Sequence, residues 1–313
     1  MLRPVIAGVD GSPESLAAAE WAAHEAVRRE RPLRLVHAWN WHPRREGEPA
    51  NAAQRHLARR ALRHAEDRIR RACPTVALRD EQVEGPATAA LLRAGGQADL
   101  LVLGSRGLSG FTGLLVGSVA LGVVARSVRP VVLVRAPDDH LPPDDHLPAD
   151  DRPAADHRLL AADATDSART GHRDVVLGLD LGDPCDEVIE FAFEAARLRG
   201  ARLRVLHAWQ PPGPFTLGPG EIALVREPHR AEEWGGFLDA VLKVWRDKYP
   251  GVEVVETLVR GRPAPPLIRA ASAASLLVVG RRAAVPPALA RTGPVTHAVI
   301  HHAGCPVAVV PHD

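Results

Sequence analysis

Four apolar runs in the first half of the chain return in the second half at nearly constant offsets. VIAGVDGSPES at Val5–Ser15 matches VVLGLDLGDPC at Val175–Cys185, 170 residues on. LRLVHAW at Leu33 matches LRVLHAW at Leu203 with the same offset. ADLLVLG, ending at Gly104, matches ASLLVVG, ending at Gly280, and RPVVLV at Arg129–Val134 matches CPVAVV at Cys305–Val310, both 176 residues on. The change of offset places a net six-residue insertion after Trp209, with PPGPFTLGPGE at Pro211–Glu221 as its candidate. A chain of 313 residues can hold two domains of ordinary size.

Each copy alternates short, nearly continuous apolar runs with longer helical patterns. In the first copy strands are expected near Pro4–Val9, Leu33–Ala38, Ala77–Val83, Leu100–Leu103 and Val131–Val134. Helices are expected to begin near Pro13, Ala50, Pro86 and Gly117. Apolar strands joined by helices predict a parallel sheet buried on both faces. Right-handed crossovers then give a doubly wound α/β sandwich. The prediction is two five-stranded, Rossmann-like domains in tandem, 1–136 and 173–313. Between them, 137–172 repeats PDDHLP and is rich in Pro, Asp and Ala, a composition that buries no core and reads as an acidic linker.

Between the fourth and fifth runs lies GSRGLSGFTGLLVGSV, from Gly104 to Val119. It reads G-x-x-G, nine residues, then Gly117-Ser118. Strand, glycine loop and helix start in that order make a place for phosphate, because backbone N–H groups and a helix N-terminus both face the anion. Ser118 is placed to offer a hydroxyl and to cap the helix. A tight strand–helix turn uses similar residues, but the long fixed spacing is more specific than a bare glycine loop. Asp10 ends the first strand, with Gly8 and Gly11 keeping that strand end open. Ser12 is better placed than Asp10 to cap a helix beginning at Pro13.

These segments resemble the universal stress protein family. RPVIAGVDGSPES resembles its first strand and Asp, LRLVHAW its second strand, RPVVLV its closing strand, and Gly104–Val119 its nucleotide motif. The resemblance covers both halves and implies an adenine nucleotide alpha hydrolase-like sandwich. It implies ATP as ligand, with or without magnesium. Asp10 would contact the adenosine and the backbone of Ala38 the adenine, beside Gly8. Gly104, Ser105, Arg106, Gly107, Leu108, Ser109, Gly110, Gly117, Ser118 and Val119 would hold the phosphates. The fifth strands would pair between the repeats, giving an intramolecular pseudo-dimer, with further homodimerisation left open.

The second copy loses much of this chemistry. Asp180 and Gly280 remain, but Leu181 replaces Gly11, Ala283 replaces Gly107 and Pro294 replaces Ser118. Pro294 removes a donor where phosphate would sit, although Arg281 and Arg282 offer charge. Weak or absent nucleotide binding is expected there.

Other features narrow the function. With 39 basic and 38 acidic residues the chain has no polybasic surface for nucleic acid or membrane. Lys243 and Lys248 are the only lysines, so no P-loop lysine serves the first-half glycines. Cys73, Cys185 and Cys305 form neither C-x-x-C nor a zinc pattern and read as reduced thiols in a cytoplasmic protein. No signal peptide is visible, and the uncharged run Gly107–Ala125, with five glycines, reads as loop plus buried helix. His37 and His207 read as satisfied strand histidines, and HAVIHH at His297–His302 is not expected to bind metal. No dedicated nucleophile or base stands out. Three functions remain: an ATP-binding regulator of an unknown partner, which is favoured, a slow ATP hydrolase, and a nucleotide-independent scaffold.

Overall fold

The computed structural model describes residues 2–39, 49–106, 116–136, 173–210, 227–283 and 290–313. The first repeat runs β1 (Val5–Gly8), α1 (Pro13–Arg28), β2 (Leu33–Trp39), α2 (Pro49–Ala72), β3 (Leu78–Glu84), α3 (Ala87–Gly95), β4 (Leu100–Gly104), α4 (Ser118–Arg126) and β5 (Val131–Val134). The second runs β6 (Val175–Gly178), α5 (Asp186–Arg199), β7 (Leu203–Trp209), α6 (Glu227–Lys248), β8 (Val254–Arg260), α7 (Ala264–Ala271), β9 (Leu276–Arg282), α8 (Pro294–His302) and β10 (Val307–His312). Both repeats are therefore doubly wound α/β domains of the predicted class, and first-repeat strands and helix starts fall within a residue or two of expectation. The proposed linker 137–172 and the insertion Pro211–Glu221 lie outside the described residues.

In the first repeat the strand order is β3-β2-β1-β4-β5, with every pairing parallel. β1, β5 and most of β4 are wholly buried, as continuous apolar strands covered on both faces must be. Helix α1 explains its own start and its own packing. Ser12 is the N-cap, accepting from Ser15 N–H at 3.2 Å, and Pro13 opens the first turn. Leu16, Ala18, Ala19, Ala22, Ala23 and Ala26 then present a buried face of small side chains at helical spacing.

The second repeat has the corresponding order β8-β7-β6-β9, again parallel. At its start Asp174 is buried and joined to Arg202 at 3.1 Å and to buried Arg204 at 3.3 Å. Helix α5 ends at Gly200 in the left-handed conformation, φ 59°, which relieves its last carbonyls.

The chain forms two compact units that do not coincide with the repeats. One joins the first repeat to 281–302 and 306–313, and the other joins 173–280 to 303–305. Inside the first unit β10 runs antiparallel to β5, pairing Val307 with Leu133 and Val309 with Val131. The three cysteines are free thiols, two of them buried. Burial pushes the Cys305 thiol up to about 12 and the Cys185 thiol up to about 11. Among the described residues no helix is long and apolar enough to cross a membrane.

Candidate functional site

Chain order reverses between β1 and β4. The strands following each in sequence, β2 and β5, lie on opposite sides of that pair. In open α/β sheets a ligand crevice opens beyond the carboxyl ends of strands at such a point. A cleft of about 660 Å³, its open mouth included, lies here in the first unit. Gly8, Asp10, Ala38, Gly104, Arg106, Gly117, Ser118 and Val119 line it, bringing together predicted residues from β1, β2, β4 and α4. Gly107, Leu108, Ser109 and Gly110 lie outside the described residues.

The Asp10 wall is braced by hydrogen bonds. Asp10 Oδ1 accepts from Ser12 N–H at 2.9 Å and from Ser12 Oγ at 2.6 Å. Ser15 Oγ accepts from Asp10 N–H at 3.3 Å and from Gly11 N–H at 3.2 Å, while donating to Ser12 O at 3.0 Å. Gly11 sits at φ 92°, a conformation that favours glycine, and this turn aims Asp10 at the cleft. Next to Ala38, His37 Nδ1 lies 2.7 Å from Val9 O, the pairing of a satisfied histidine. Burial lowers the His37 pKa, against smaller opposing effects of the Val9 bond and Asp10.

The opposite wall is built from a glycine contact and helix ends. A Cβ on Gly104 would lie 2.8 Å from the backbone of both Glu14 and Ser15. Gly104 therefore lets β4 pass against the start of α1, a packing role in addition to the predicted ligand role. Ser105 is buried and lies behind the cleft, outside its lining. Its N–H donates to Val134 O at 2.8 Å and its carbonyl accepts from Gly117 N–H at 2.7 Å. Ser105 thus braces the loop, and the Gly117 N–H is spent on that brace. Arg106 is half-buried and faces the cleft.

Helix α4 departs from expectation in one respect. Gly117, not Ser118, is the N-cap, with φ −71° and ψ 150°, and no side chain caps the helix. Ser118 is the first helical residue, and a capping hydroxyl must precede the helix rather than begin it. The first turn of α4, Ser118 to Ala120, faces the cleft with its N–H groups uncapped by any side chain. Ala87, at the start of α3, lines the same cleft, and α3 also lacks a side-chain cap. Two helix N-termini thus direct partial positive charge into one space. Sequence reasoning missed Ala87, although Gly85-Pro86 marks that helix start. It also missed the apolar floor of Val36, Leu91 and Leu103, which apolar periodicity alone assigns to the core.

The second repeat keeps the framework and fills the chemistry. Asp180 Oδ1 accepts from Gly182 N–H at 2.9 Å in an exposed turn. Leu181 is buried at the position of Gly11. Gly293 O accepts from His297 N–H at 2.8 Å, as Gly117 O accepts from Leu121 N–H at 3.0 Å, so α8 begins as α4 does but with Pro294. Arg281 does not offer its charge as the sequence suggests, because it is 5 % exposed and bonded to Ser127 O and Arg282 O. His207 Nδ1 lies 3.0 Å from Leu179 O, repeating the His37 pairing, and its ring tilts against Trp234. His297 and His301 stack at 4.4 Å, and no cluster of three metal-ligating side chains occurs among the described residues.

Similarity to known proteins agrees with this architecture. The sequence pattern described as the universal stress protein family matches residues 1–135 and 171–311. A universal stress protein of Mycobacterium tuberculosis strain H37Rv is 29 % identical over 334 residues, covering 99 % of this chain and 96 % of its own. The crystal structure of a universal stress protein from Archaeoglobus fulgidus superposes with a TM-score of 0.60 at 18 % identity, covering 99 % of this chain and 98 % of that one. A universal stress protein in complex with cAMP is 29 % identical over 43 % of this chain and 97 % of its own, with a TM-score of 0.37. With the family pattern present twice along its length, the chain belongs to the universal stress protein family.

Proposed function

We propose that the first-repeat cleft binds ATP and that the protein acts as a nucleotide-responsive regulator. One observation carries this reading: a braced carboxylate, Asp10, and the uncapped N-terminus of α4 face the same cleft at the strand-order reversal. The carboxylate suits a purine amino group, and the helix end suits an anion. A nucleotide carries both at its two ends, joined by a sugar that the apolar floor can cover.

Regulation by occupancy is favoured over turnover. Asp10 is the only carboxylate among the described residues lining the cleft. It is engaged by Ser12, on the wall assigned to adenine. General acid–base help is worth roughly 10²–10⁴-fold, and among the described lining residues no other side chain is a carboxylate, histidine or lysine able to give it. The second repeat, with Leu181 buried and Pro294 opening α8, serves as a structural copy.

Denaturing extraction of the purified protein, with mass spectrometry of the released small molecules, tests the ligand. Calorimetric titration tests the stoichiometry. About one ATP per chain is expected if uncapped helix amides hold the phosphate. Two equally tight sites, or no adenine nucleotide uptake, would overturn the reading. Rapid magnesium-dependent hydrolysis would favour the enzyme instead.

A further inference from the structure

Arg281 occupies the position in the second repeat that Ser105 holds in the first. Instead of facing solvent it is 5 % exposed and lies in the first unit. Its Nη2 donates to Ser127 O at 2.5 Å and its Nη1 to Arg282 O at 3.3 Å. Burial disfavours its charged form, yet a guanidinium stays protonated in proteins. A buried cation bonded to backbone carbonyls is a costly arrangement that serves fold stability poorly.

Its partner is a rigid point. Ser127 N–H donates to Val123 O at 2.8 Å, closing the last turn of α4. Ser127 Oγ donates to Arg129 O at 2.8 Å and accepts from Arg129 N–H at 3.1 Å. The Ser127 carbonyl sits at the negative end of the α4 dipole, where a cation is favoured. The positive end of the same helix is the first turn, Ser118 to Ala120, that lines the cleft. A helix of 9 residues is short and stiff, so a hold at one end fixes the other.

We infer that Arg281 is a positioning residue for the anion end of the first-repeat cleft, tying α4 in place from its carboxyl end. A residue at the end of β9, in the degenerate repeat, thereby serves α4 of the first repeat. This role rests on reading that cleft as a nucleotide site. Arg135 supplies a matched control. It donates from Nη2 to His301 O at 2.7 Å, near the end of α8, whose own start carries no phosphate chemistry.

The test compares parent, Arg281→Met, Arg281→Lys and Arg135→Met as full chains. Hydrogen exchange is read without nucleotide at the α4 amides from Leu121, which donates to Gly117 O, to Ser127, which donates to Val123 O, and ATP affinity by calorimetry. Arg281→Met keeps the apolar stem and removes a buried charge, so it is expected to unfold cooperatively near the parental midpoint. Its α4 amides should exchange faster, and its ATP affinity should fall about fivefold. Arg281→Lys should recover part of both, and Arg135→Met should match the parent in both. Parental exchange at Leu121–Ser127 in Arg281→Met would overturn the tie. If that variant does not fold, Arg281→Lys keeps the charge without the two-pronged bond, and parental exchange there overturns the tie equally. A parent that takes up no ATP overturns the reading of the cleft, while the exchange comparison still decides the tie.

Discussion

Gly117 donates its backbone N–H to the carbonyl of Ser105 at 2.7 Å, so a single hydrogen bond closes the chain on either side of residues 107–115. The closure sets where α4 begins. It also separates two jobs that the glycine motif combines in sequence. Ser105 and Gly117 hold the end of β4 to the start of α4, and the first turn of α4 is left to meet a ligand.

Gly117→Asp separates stability from binding. The observed backbone, φ −71° and ψ 150°, is one that aspartate adopts as an N-cap. The variant should gain a few tenths of a kcal/mol of stability, seen in its urea midpoint. It should bind ATP at least about tenfold more weakly, since two like charges about 4 Å apart repel by about 4 kcal/mol near a protein surface. A stabilised variant that titrates like the parent would place the phosphate elsewhere.

Asp10 needs a paired comparison. Asp10→Ala removes the acceptor of two Ser12 bonds and should cost about 1–2 kcal/mol as well as nucleotide selectivity. Asp10→Asn keeps an oxygen for Ser12 and should fold nearly as stably. Its ATP titration, set against GTP, then isolates recognition of the base. Unchanged preference in Asp10→Asn would remove Asp10 from the adenine contact.

Gly104→Ala should destabilise the first unit by about 1–3 kcal/mol, because the added methyl meets backbone rather than a movable side-chain tip. The displaced residues, Glu14 and Ser15, adjoin the Asp10 brace, so ATP affinity should fall with stability. Chemical denaturation and calorimetry on the same preparation measure both.

Stability should fall as pH drops from about 6.5, the ordinary histidine value. Burial lowers the pKa of both His37 and His301, so the unfolded chain takes up their protons first. Their stabilisation is complete above the unfolded value and is lost as pH falls towards the lowered folded values. Urea midpoints measured between about pH 7.5 and 5.5 should decline, and His37→Gln should flatten part of that slope.

The strands were legible because buried parallel strands announce themselves as unbroken apolar runs, as in Val131–Val134. Ser12 and Pro13 likewise carry their capping roles in their chemistry. Asp10 and Gly104 line the cleft and were legible as strand carboxyl ends, whereas Ala38, which also lines it, was expected through the family resemblance alone. What stayed hidden depends on where a side chain goes after the backbone is set. Arg281, beside Arg282 after an apolar run, reads as charge offered to a ligand, and nothing local reports that it turns inward to Ser127. Ser118 read as a cap, a role that needs the helix to begin at Val119, whereas the helix begins at Ser118 itself. Ala87 carries no functional group, so only the folded backbone brings its helix end to the cleft.

The pairing of Val131 with Val309 joins positions more than half the chain apart. During synthesis the first repeat emerges complete in its own sequence, yet the open side of its outermost strand, already paired to β4 on the other, must wait for nearly all of the second repeat. Contacts of such sequence separation form late and slowly. Until then β5 is an open edge, free to pair with whatever strand is nearest. Completion of the first unit is therefore timed by translation of the half in which the glycine motif is degenerate.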